Sequence, residues 1–455
     1  MDPTKLSTIS DWAGGKLLSG DPAAWISTIC TDSRALKAGD LFLALRGENF
    51  DGHAFVAEAA KLGAAGAVVE EAPEGLPANF AVIKVGDTLT ALQQIAANYR
   101  RLLPLKAIVI TGSNGKTSTK DFTAAVLQER FQVIKTEGNL NNHIGLPLTI
   151  LRAQSSDQIG VFEIGMNHPG EIAPLAKIAQ PDVGIITNVG VAHIEFMGSR
   201  DAIAQEKGEL AAAVGQAGSV ILNAGDEYTP AIARRTKANT ILCGIGIGNV
   251  RASNVRIDGD GTSFDLSSGV ETVPARIAVP GEHMVLNALL AIAAGILFGL
   301  TPAECATGVG NVHLTKGRLE QKTIRGIRVL DDTYNANPDS MVAALRTLAK
   351  MPAEGVRIAV LGKMGELGVE SERGHRRVGE EAGKLGIQCV IGVGEEAAFI
   401  SSSAKQHGVD KIFQVSSTSE AVGLLRSLAH QGDVVLVKGS RSARMEKIVE
   451  GLAAV

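Results

Sequence analysis

The sequence predicts an α/β protein of several domains, and three features lead to this fold class. Its 455 residues are about three times the ~150 residues of an average domain. Hydrophobic residues make up 45% and charged residues 20%, which is typical of globular chains. The 52 glycines make up about 11% of the residues, above the usual ~7%, while aromatic residues make up only 4%. Many tight strand-to-helix turns around aliphatic cores would give this composition.

The first predicted domain covers residues 1–104 and ends at the Pro104 break. It mixes short apolar runs typical of strands with longer helical patterns. The predicted strands are residues 41–45, 67–69 and 81–85, and the predicted helices are residues 54–62 and 88–103.

The second predicted domain, residues 105–317, repeats a strand followed by a helix, which predicts a mostly parallel sheet. Residues 250–280 are polar and alternating with Asp-Gly turns, so we expect antiparallel strands at the sheet edge. An apolar helix at 284–300 should pack against this sheet. The predicted strands are residues 107–111, 160–164, 183–187, 219–222 and 240–243.

The third predicted domain, residues 318–455, is a second α/β unit. Its predicted strands are residues 327–330, 356–361, 388–393 and 434–437. Ligands of such sheets bind beyond the carboxyl ends of the strands, so polar residues directly after each apolar run are candidate site residues.

Charge and cysteine content exclude several classes of function. The net charge of -4 gives no overall positive field to attract nucleic acid or an anionic membrane. The four cysteines contain no Cys-x-x-Cys pair, so we expect reduced thiols, mostly buried, and no thiolate zinc site. Residues 1–10 lack the order of a signal peptide, and the apolar stretch at 285–300 is too short to span a bilayer. We therefore expect a cytoplasmic enzyme or binding protein without membrane insertion.

Residues 108–118 run from an aliphatic strand through a glycine-rich turn into a helix, which predicts a phosphate-binding loop. Gly112 and Gly115 let backbone N–H groups face an anion, and Lys116 can reach the outer phosphates. The Thr117 hydroxyl suits Mg²⁺. The loop is a short form, because Ile110 occupies the place of the usual first glycine. We expect ATP as the nucleotide.

Candidate metal and catalytic side chains follow the predicted strands of the second domain. Phosphoryl transfer needs a cation that bridges phosphate oxygens. Glu163 interrupts an aliphatic run, where a buried carboxylate is costly unless it is paired or metal-bound. His193 lies beyond the predicted strand at 183–187. Taken alone, either residue could instead have a purely structural role. Lys207, taken alone, fits a run of charged residues on a solvent-exposed helix face.

Four further polar residues are candidates by position: His283, Asn287, Arg318 and Asp332. The first two lie on an otherwise apolar helix, where capping or hydrogen-bonded packing is the alternative. Arg318 and Asp332 lie at the start of the third domain, where a surface ion pair is the alternative for Arg318.

These motifs together resemble the Mur ligase family over nearly the whole chain, and in particular its dipeptide-adding branch. The matching segments are residues 31–34, 39–42, 51–53, 112–117, 138–147, 163–172, 187–193, 207–209, 317–318, 331–338 and 438–441. The resemblance implies a first domain that holds a UDP-muropeptide, a central P-loop ATPase domain with a parallel sheet, and a Rossmann-like C-terminal domain that receives a dipeptide. The implied reaction joins D-Ala-D-Ala to UDP-MurNAc-tripeptide with ATP, through an acyl phosphate, and gives UDP-MurNAc-pentapeptide.

The resemblance also implies residue roles. Lys116, Glu163, His193 and Lys207 would be catalytic, and Lys207 would react with carbon dioxide to form a carbamate. Mg²⁺ would be held by Thr117, Glu163, His193 and Lys207. ATP would be bound by Gly112, Ser113, Asn114, Gly115, Lys116, Thr117 and Ser118, with Asn287 at the adenine, Arg318 at a phosphate and Asp332 at the ribose. The other substrates would be bound by Ser33, Arg34, Asp51, Gly52, His53, Asn139, Asn141, Asn142, Asn335 and Asn337.

Two residues depart from the family pattern. Lys363 stands where related enzymes carry Asp, which affects the C-terminal site. Glu206 precedes Lys207 where a small residue is usual, and a neighbouring carboxylate favours the ammonium form of the lysine. The alternatives are a tripeptide-forming Mur ligase, a folylpolyglutamate synthase-like ligase and a nucleotide-dependent binding switch. We expect a monomer that binds small-molecule substrates and no nucleic acid.

Overall fold

The computed structural model describes residues 1–47 and 50–454. Its contacts divide the chain into two compact units. The first unit comprises Met1–Val109, Phe131–Gly165 and Glu171–Asp182, and the second comprises Ile110–Arg130, Met166–Gly170 and the chain from Val183 onward.

The described residues contain 24 strands. The strands are β1 (Thr4–Lys5), β2 (Lys16–Ser19), β3 (Trp25–Ile26), β4 (Ile29–Cys30), β5 (Leu41–Leu43), β6 (Arg46–Gly47), β7 (Phe50–Asp51), β8 (Gly66–Val69), β9 (Ala81–Lys84), β10 (Lys106–Thr111), β11 (Val133–Lys135), β12 (Ile159–Glu163), β13 (Val183–Ile186), β14 (Ser219–Asn223), β15 (Asn239–Ile245), β16 (Val250–Asp258), β17 (Gly261–Ser268), β18 (Glu271–Ile277), β19 (Glu320–Ile324), β20 (Ile327–Asp332), β21 (Arg357–Gly362), β22 (Cys389–Val393), β23 (Lys411–Val415) and β24 (Val434–Lys438).

The same residues form 16 α-helices and three 3₁₀ turns. The α-helices are α1 (Leu6–Trp12), α2 (Val56–Lys61), α3 (Thr88–Leu102), α4 (Lys116–Gln128), α5 (Gly145–Leu151), α6 (Ile172–Ala179), α7 (Ile194–Met197), α8 (Arg200–Ala213), α9 (Thr229–Ala233), α10 (Glu282–Leu297), α11 (Pro302–Gly310), α12 (Pro338–Lys350), α13 (Ser371–Lys384), α14 (Ala398–Gln406), α15 (Thr418–Leu428) and α16 (Glu446–Ala453). The 3₁₀ turns are Gly52–Phe55, Gly368–Glu370 and Arg441–Ala443.

The first unit is built on a five-stranded sheet in the order β2-β9-β8-β5-β4. Its strands are parallel except that β2 pairs antiparallel with β9. Phe42, Val56 and Val69 are among the buried side chains of its apolar core. This unit also contains β11 and β12, which pair in parallel. Glu163 closes β12, so the sheet directly positions one predicted metal ligand.

The second unit begins at the end of β10, where the Thr187 N–H donates to the Thr111 carbonyl over 3.0 Å. Strands β13 to β16 follow in parallel, and β17 and β18 continue antiparallel to the edge, as the sequence predicts. Helix α10 is mostly buried and packs on α4, where Gly295 leaves room for Val126. The helix that follows the phosphate loop is therefore fixed by apolar packing.

The C-terminal part of the second unit contains a six-stranded sheet in the order β19-β20-β24-β21-β22-β23. All pairings are parallel except that between β19 and β20. Val329, Val360, Ile391 and Val437 are among the buried residues of its core. The parallel strands place the residues after β20, β21 and β24 at one edge, where α/β sheets bind ligands.

The predicted α/β class is confirmed, and so are the free cysteines. Three of the four thiols are buried, and Cys30 is partly exposed. No helix among the described residues is both long and apolar enough to cross a membrane. The predicted apolar helix at 284–300 ends earlier, at Leu297, since Gly299 adopts a left-handed φ of 83° and Thr301 caps α11. The domain boundaries at 104 and 317 stay a prediction.

Candidate active site

The predicted phosphate loop joins β10 to α4. Gly115 is the N-cap of α4 with a left-handed φ of 79°, which favours glycine. A side chain at Gly112 would overlap the Thr187 hydroxyl, so only glycine fits there. Lys116 donates from Nζ to the Gly112 carbonyl over 2.8 Å. The loop and the N-terminus of α4 together provide backbone N–H groups and a lysine side chain close to each other, as an anion-binding site requires.

Asn114 ties the loop to two other segments of the second unit. Its backbone N–H donates to Asn188 Oδ1 over 3.0 Å, and Asn188 Nδ2 donates to the Asn114 carbonyl over 3.0 Å. Asn337 donates from Nδ2 to Asn114 Oδ1 over 2.7 Å. Asn337 also caps α12 by accepting from the Ser340 N–H. The start of α12 therefore contacts the phosphate loop directly.

Arg318 reaches the same loop from the residues just before β19. Its Nη2 donates to Thr117 Oγ1 over 3.2 Å, and its guanidinium lies 4.1 Å from the ring centre of Tyr334. The Arg318 Nε is buried without a hydrogen-bond partner. Arg318 is thus not a surface ion pair, and it has a donor left for an acceptor such as a phosphate.

Asp332 and Asn287 lie in different surroundings within the second unit. Asp332 Oδ2 forms an ion pair with Lys438 Nζ over 2.6 Å, and Lys438 is buried. Burial lowers the pKa of Lys438, although Asp332 opposes that shift. Asn287 is 5% exposed and lies against Gly115, so its side chain contacts the phosphate loop.

His193 lies after β13 in a left-handed backbone conformation with a φ of 62°. Its Nδ1 lies 2.6 Å from Glu366 Oε2, yet Nδ1 has no partner in hydrogen-bond geometry. The contact with His193 lowers the pKa of Glu366, and the charges of Lys116 and His168 act in the same direction. Glu366 is therefore an acidic group near the phosphate loop.

Lys207 is 1% exposed on α8, so it does not belong to a solvated charge run. Burial lowers its pKa well below the ordinary value, and the charge of Lys116 lowers it further. Glu206 opposes the shift, as the sequence predicts, but desolvation outweighs it. The Glu206 carboxylate accepts the Gly170 N–H over 2.9 Å. The Lys207 amine therefore favours its neutral form more than an exposed lysine would.

Glu163 in the first unit is 2% exposed. Its Oε1 accepts from Asn141 Nδ2 over 2.8 Å, while its Oε2 is buried without a partner. An unpaired oxygen on a buried carboxylate is costly unless a cation binds it. Asn142 caps the start of α5 by accepting the Gly145 N–H over 2.8 Å, and Asn139 is exposed.

The predicted uridine-side residues lie in the first unit. Arg34 is exposed and pairs with Asp32 over 2.7 Å, which lowers the pKa of Asp32 to about 2. Asp51 accepts from the His53 N–H and contacts His53 Nδ1 at 2.7 Å, and these contacts lower the pKa of Asp51 to about 2. Gly52 is buried and Ser33 is partly exposed.

The second unit thus joins the phosphate loop, Arg318 and Asn337 in one hydrogen-bond network, and His193 contacts Glu366. The Asn335 carbonyl accepts from Lys438 Nζ over 2.9 Å, so Lys438 joins Asn335 to Asp332. Among the described residues, no group of three or more His, Cys, Asp and Glu side chains forms a ready metal site. Mg²⁺ commonly needs only one or two carboxylates when phosphates complete its coordination.

Sequence reasoning missed Glu366, Asn188 and Lys438 as site residues. All three follow or end a strand of a parallel sheet, and that position was the available signal. Glu366 lies within residues 362–368, and in this segment the sequence points only to Lys363, as a departure from the family pattern. Lys363 itself lies 3.6 Å from Glu396.

Comparison with known proteins gives matches along nearly the whole chain. Three profiles match: "Mur ligase family, catalytic domain" at residues 26–100, "Mur ligase middle domain" at 110–295, and "Mur ligase, glutamate ligase domain" at 317–441. These matches confirm the expected three-domain organisation.

Two curated relatives are named UDP-N-acetylmuramoyl-tripeptide--D-alanyl-D-alanine ligase. The Bacillus subtilis protein is 39% identical over 94% of this chain and 93% of the relative. The Escherichia coli protein is 37% identical over 98% of both chains.

Solved structures agree with the whole fold. A MurF crystal structure from Acinetobacter baumannii matches with a TM-score of 0.92 and 32% identity, covering 100% of this chain and 99% of that one. The Thermotoga maritima MurF in complex with ADP matches with a TM-score of 0.84 and 27% identity, covering 94% and 97%.

Proposed function

Since the chain belongs to the Mur ligase family, we propose that it is the ATP-dependent ligase that adds D-Ala-D-Ala to UDP-MurNAc-tripeptide. The product is UDP-MurNAc-pentapeptide, a precursor of peptidoglycan. The observation that carries the proposal is the contact of Arg318 and Asn337 with the phosphate loop. A ligase that closes its last domain over ATP needs such contacts.

The reaction activates a carboxylate that is a poor acyl donor. The tripeptide carboxylate attacks the γ-phosphorus of ATP, ADP leaves, and the resulting acyl phosphate has a good leaving group. The amine of D-Ala-D-Ala then attacks the acyl carbon, and phosphate departs as the amide forms. The loop N–H groups and Lys116 stabilise the charge that develops on the phosphoryl oxygens.

Three residues outside the phosphate loop would hold the nucleotide. The free Nε of Arg318 would donate to a phosphate, Asp332 would bind the ribose, and Asn287 would lie near the adenine. The Thr117 hydroxyl would be a ligand of Mg²⁺. Because Arg318 and Asp332 belong to the C-terminal domain, binding of ATP would favour closure of that domain.

The unpaired oxygen of Glu163 fits a divalent cation, and a threonine hydroxyl is a suitable companion ligand. We assign Thr117 and Glu163 to one Mg²⁺ and His193 to a second. When bound, such ions offset charge on the transferred phosphoryl group.

Lys207 suits carbamate formation, because desolvation favours its neutral amine. The amine nitrogen would attack the carbon of carbon dioxide, one C=O electron pair would move to oxygen, and nitrogen would release one proton. The product is a carboxylate-like group that can position a metal ion.

The remaining substrates would bind three further groups of residues. Ser33, Arg34 and the turn at residues 51–53 would contact the uridine diphosphate. Asn139, Asn141 and Asn142 would lie near the muramoyl end, and Asn335 and Asn337 near the dipeptide. We further propose a cytoplasmic monomer that binds no nucleic acid.

Phosphate release tests the proposal. It is measured with UDP-MurNAc-tripeptide alone, with D-Ala-D-Ala alone, and with both. A ligase releases phosphate only when both are present, and mass spectrometry then detects the pentapeptide product. Release without the dipeptide would indicate a nucleotide switch. Product formation with UDP-MurNAc-dipeptide and a single amino acid would indicate the tripeptide-forming alternative. Paired acceptors with diaminopimelate or lysine identify the third residue.

A further inference from the structure

One contact in the second unit joins His193, after β13, to Glu366, after β21. Glu366 Oε2 lies 2.6 Å from His193 Nδ1, but the carboxylate is outside the hydrogen-bonding direction of the ring nitrogen. An orienting carboxylate would lie along that direction. The pair therefore differs from an ordinary histidine–carboxylate hydrogen bond.

Two ligands of one cation approach each other in this way. With bonds of about 2.1 Å, neighbouring atoms of an octahedral set lie roughly 3 Å apart, and the line between them runs at about 45° to each bond. The atoms are then close without either pointing at the other. In this protein Glu366 Oε2 and His193 Nδ1 are 2.6 Å apart, and Nδ1 has no partner in hydrogen-bond geometry.

The backbone at both residues supports a functional role. His193 has a φ of 62° and Glu366 a φ of 59°, and neither is glycine. Such conformations persist only where the surroundings hold them, and they concentrate at functional sites. The Glu195 N–H donates to the Glu366 carbonyl over 3.3 Å, so a backbone hydrogen bond also joins the two segments.

The charge of Glu366 gives a further reason. Its carboxylate is near enough to Lys116 and His168 for their charges to act on it. A carboxylate at the phosphate loop repels the phosphates of a nucleotide unless a cation lies between them. Glu366 is half-exposed, with 44% of its side chain accessible, so a bound ion can reach it.

We propose that Glu366 is a ligand of the second divalent cation, together with His193. This rests on the metal role proposed above for His193. The last domain then supplies one ligand, so this metal site is complete only when Glu366 lies against His193. Closure and metal binding would therefore stabilise each other.

Manganese binding tests the proposal directly. Electron paramagnetic resonance measures the concentration of free Mn²⁺ in the presence of the protein, a nonhydrolysable ATP analogue and UDP-MurNAc-tripeptide. We expect Glu366→Gln to weaken the lower-affinity Mn²⁺ site by about ten-fold or more and to spare the other site. Glu370→Gln removes the same charge from the same segment, where Glu370 pairs with Arg373, and should leave both sites unchanged.

Steady-state kinetics give a second readout. In Glu366→Gln, the metal concentration for half-maximal rate should rise, while saturating metal should restore most of kcat. Melting temperatures of both glutamine variants establish that they fold. If Glu366→Gln binds Mn²⁺ with wild-type affinity while His193→Ala binds it more weakly, the metal role of Glu366 is overturned and that of His193 is kept. Unchanged binding in both variants would also remove His193 from the proposed metal site.

Discussion

Replacing Arg318 by alanine should weaken ATP-dependent turnover strongly. The guanidinium donates to Thr117 Oγ1 over 3.2 Å and lies 4.1 Å from the Tyr334 ring. The free Arg318 Nε would donate to a phosphate of ATP, and a hydrogen bond from a charged donor contributes about 1.5–3 kcal/mol. Its loss corresponds to roughly 10-fold to 150-fold in kcat/KM for ATP.

Continuous phosphate release at varied ATP measures this loss. Arg318→Lys keeps the charge but loses the planar stack on Tyr334, so it should recover only part of the rate. Arg373→Ala is the matched control, because Arg373 is largely exposed and its partner is Glu370. A kcat/KM for ATP within two-fold of wild type in Arg318→Ala would refute the reasoning.

Three further predictions concern single lysine and histidine residues. Lys116→Ala should abolish phosphate release, since the loop loses its only side-chain cation, and retained turnover would refute the loop assignment. Lys207→Ala should be inactive and partly rescued by short carboxylic acids, whereas full activity without additive would refute the carbamate. Burial lowers the pKa of His283 from 6.5 to about 4. The unfolded chain then binds more protons between those values, so stability should fall as pH drops from about 6.5 to about 4. His283→Asn should flatten this dependence in thermal melts, and an unchanged slope would contradict it.

Apolar runs predicted the inner strands and missed the edges of the C-terminal sheet. Strands β20, β21, β22 and β24 are the four inner strands of this sheet and are mostly buried. Each of them has an aliphatic run that predicts a strand. Strands β19 and β23 are the two edge strands, and their side chains are mostly half-exposed or exposed. An edge strand has one neighbour and tolerates polar residues, so its sequence lacks a continuous apolar run.

The phosphate loop was predictable because its chemistry is local. Gly112, Gly115 and Lys116 lie within five residues, and the loop conformation needs those types. The contacts that Arg318 and Asn337 make with the loop join residues more than 200 positions apart. Such pairings depend on how the sheets are placed, which periodicity does not encode. Only the family resemblance predicts that Arg318 binds the nucleotide.

Lys207 shows most clearly why burial decides the chemistry of this site. In sequence it lies between two glutamates, which suggests a charged surface helix. In the structure it is 1% exposed, and the charge of Lys116 acts on it. Two nearby ammonium groups, one of them desolvated, repel each other, so Lys207 is driven toward its neutral amine. A neutral amine is the form that reacts with carbon dioxide, and a carbamate would place an anion where the charge of Lys116 disfavours a second cation. Carbamylation would thus supply a carboxylate for a metal ion at a position that favours negative charge.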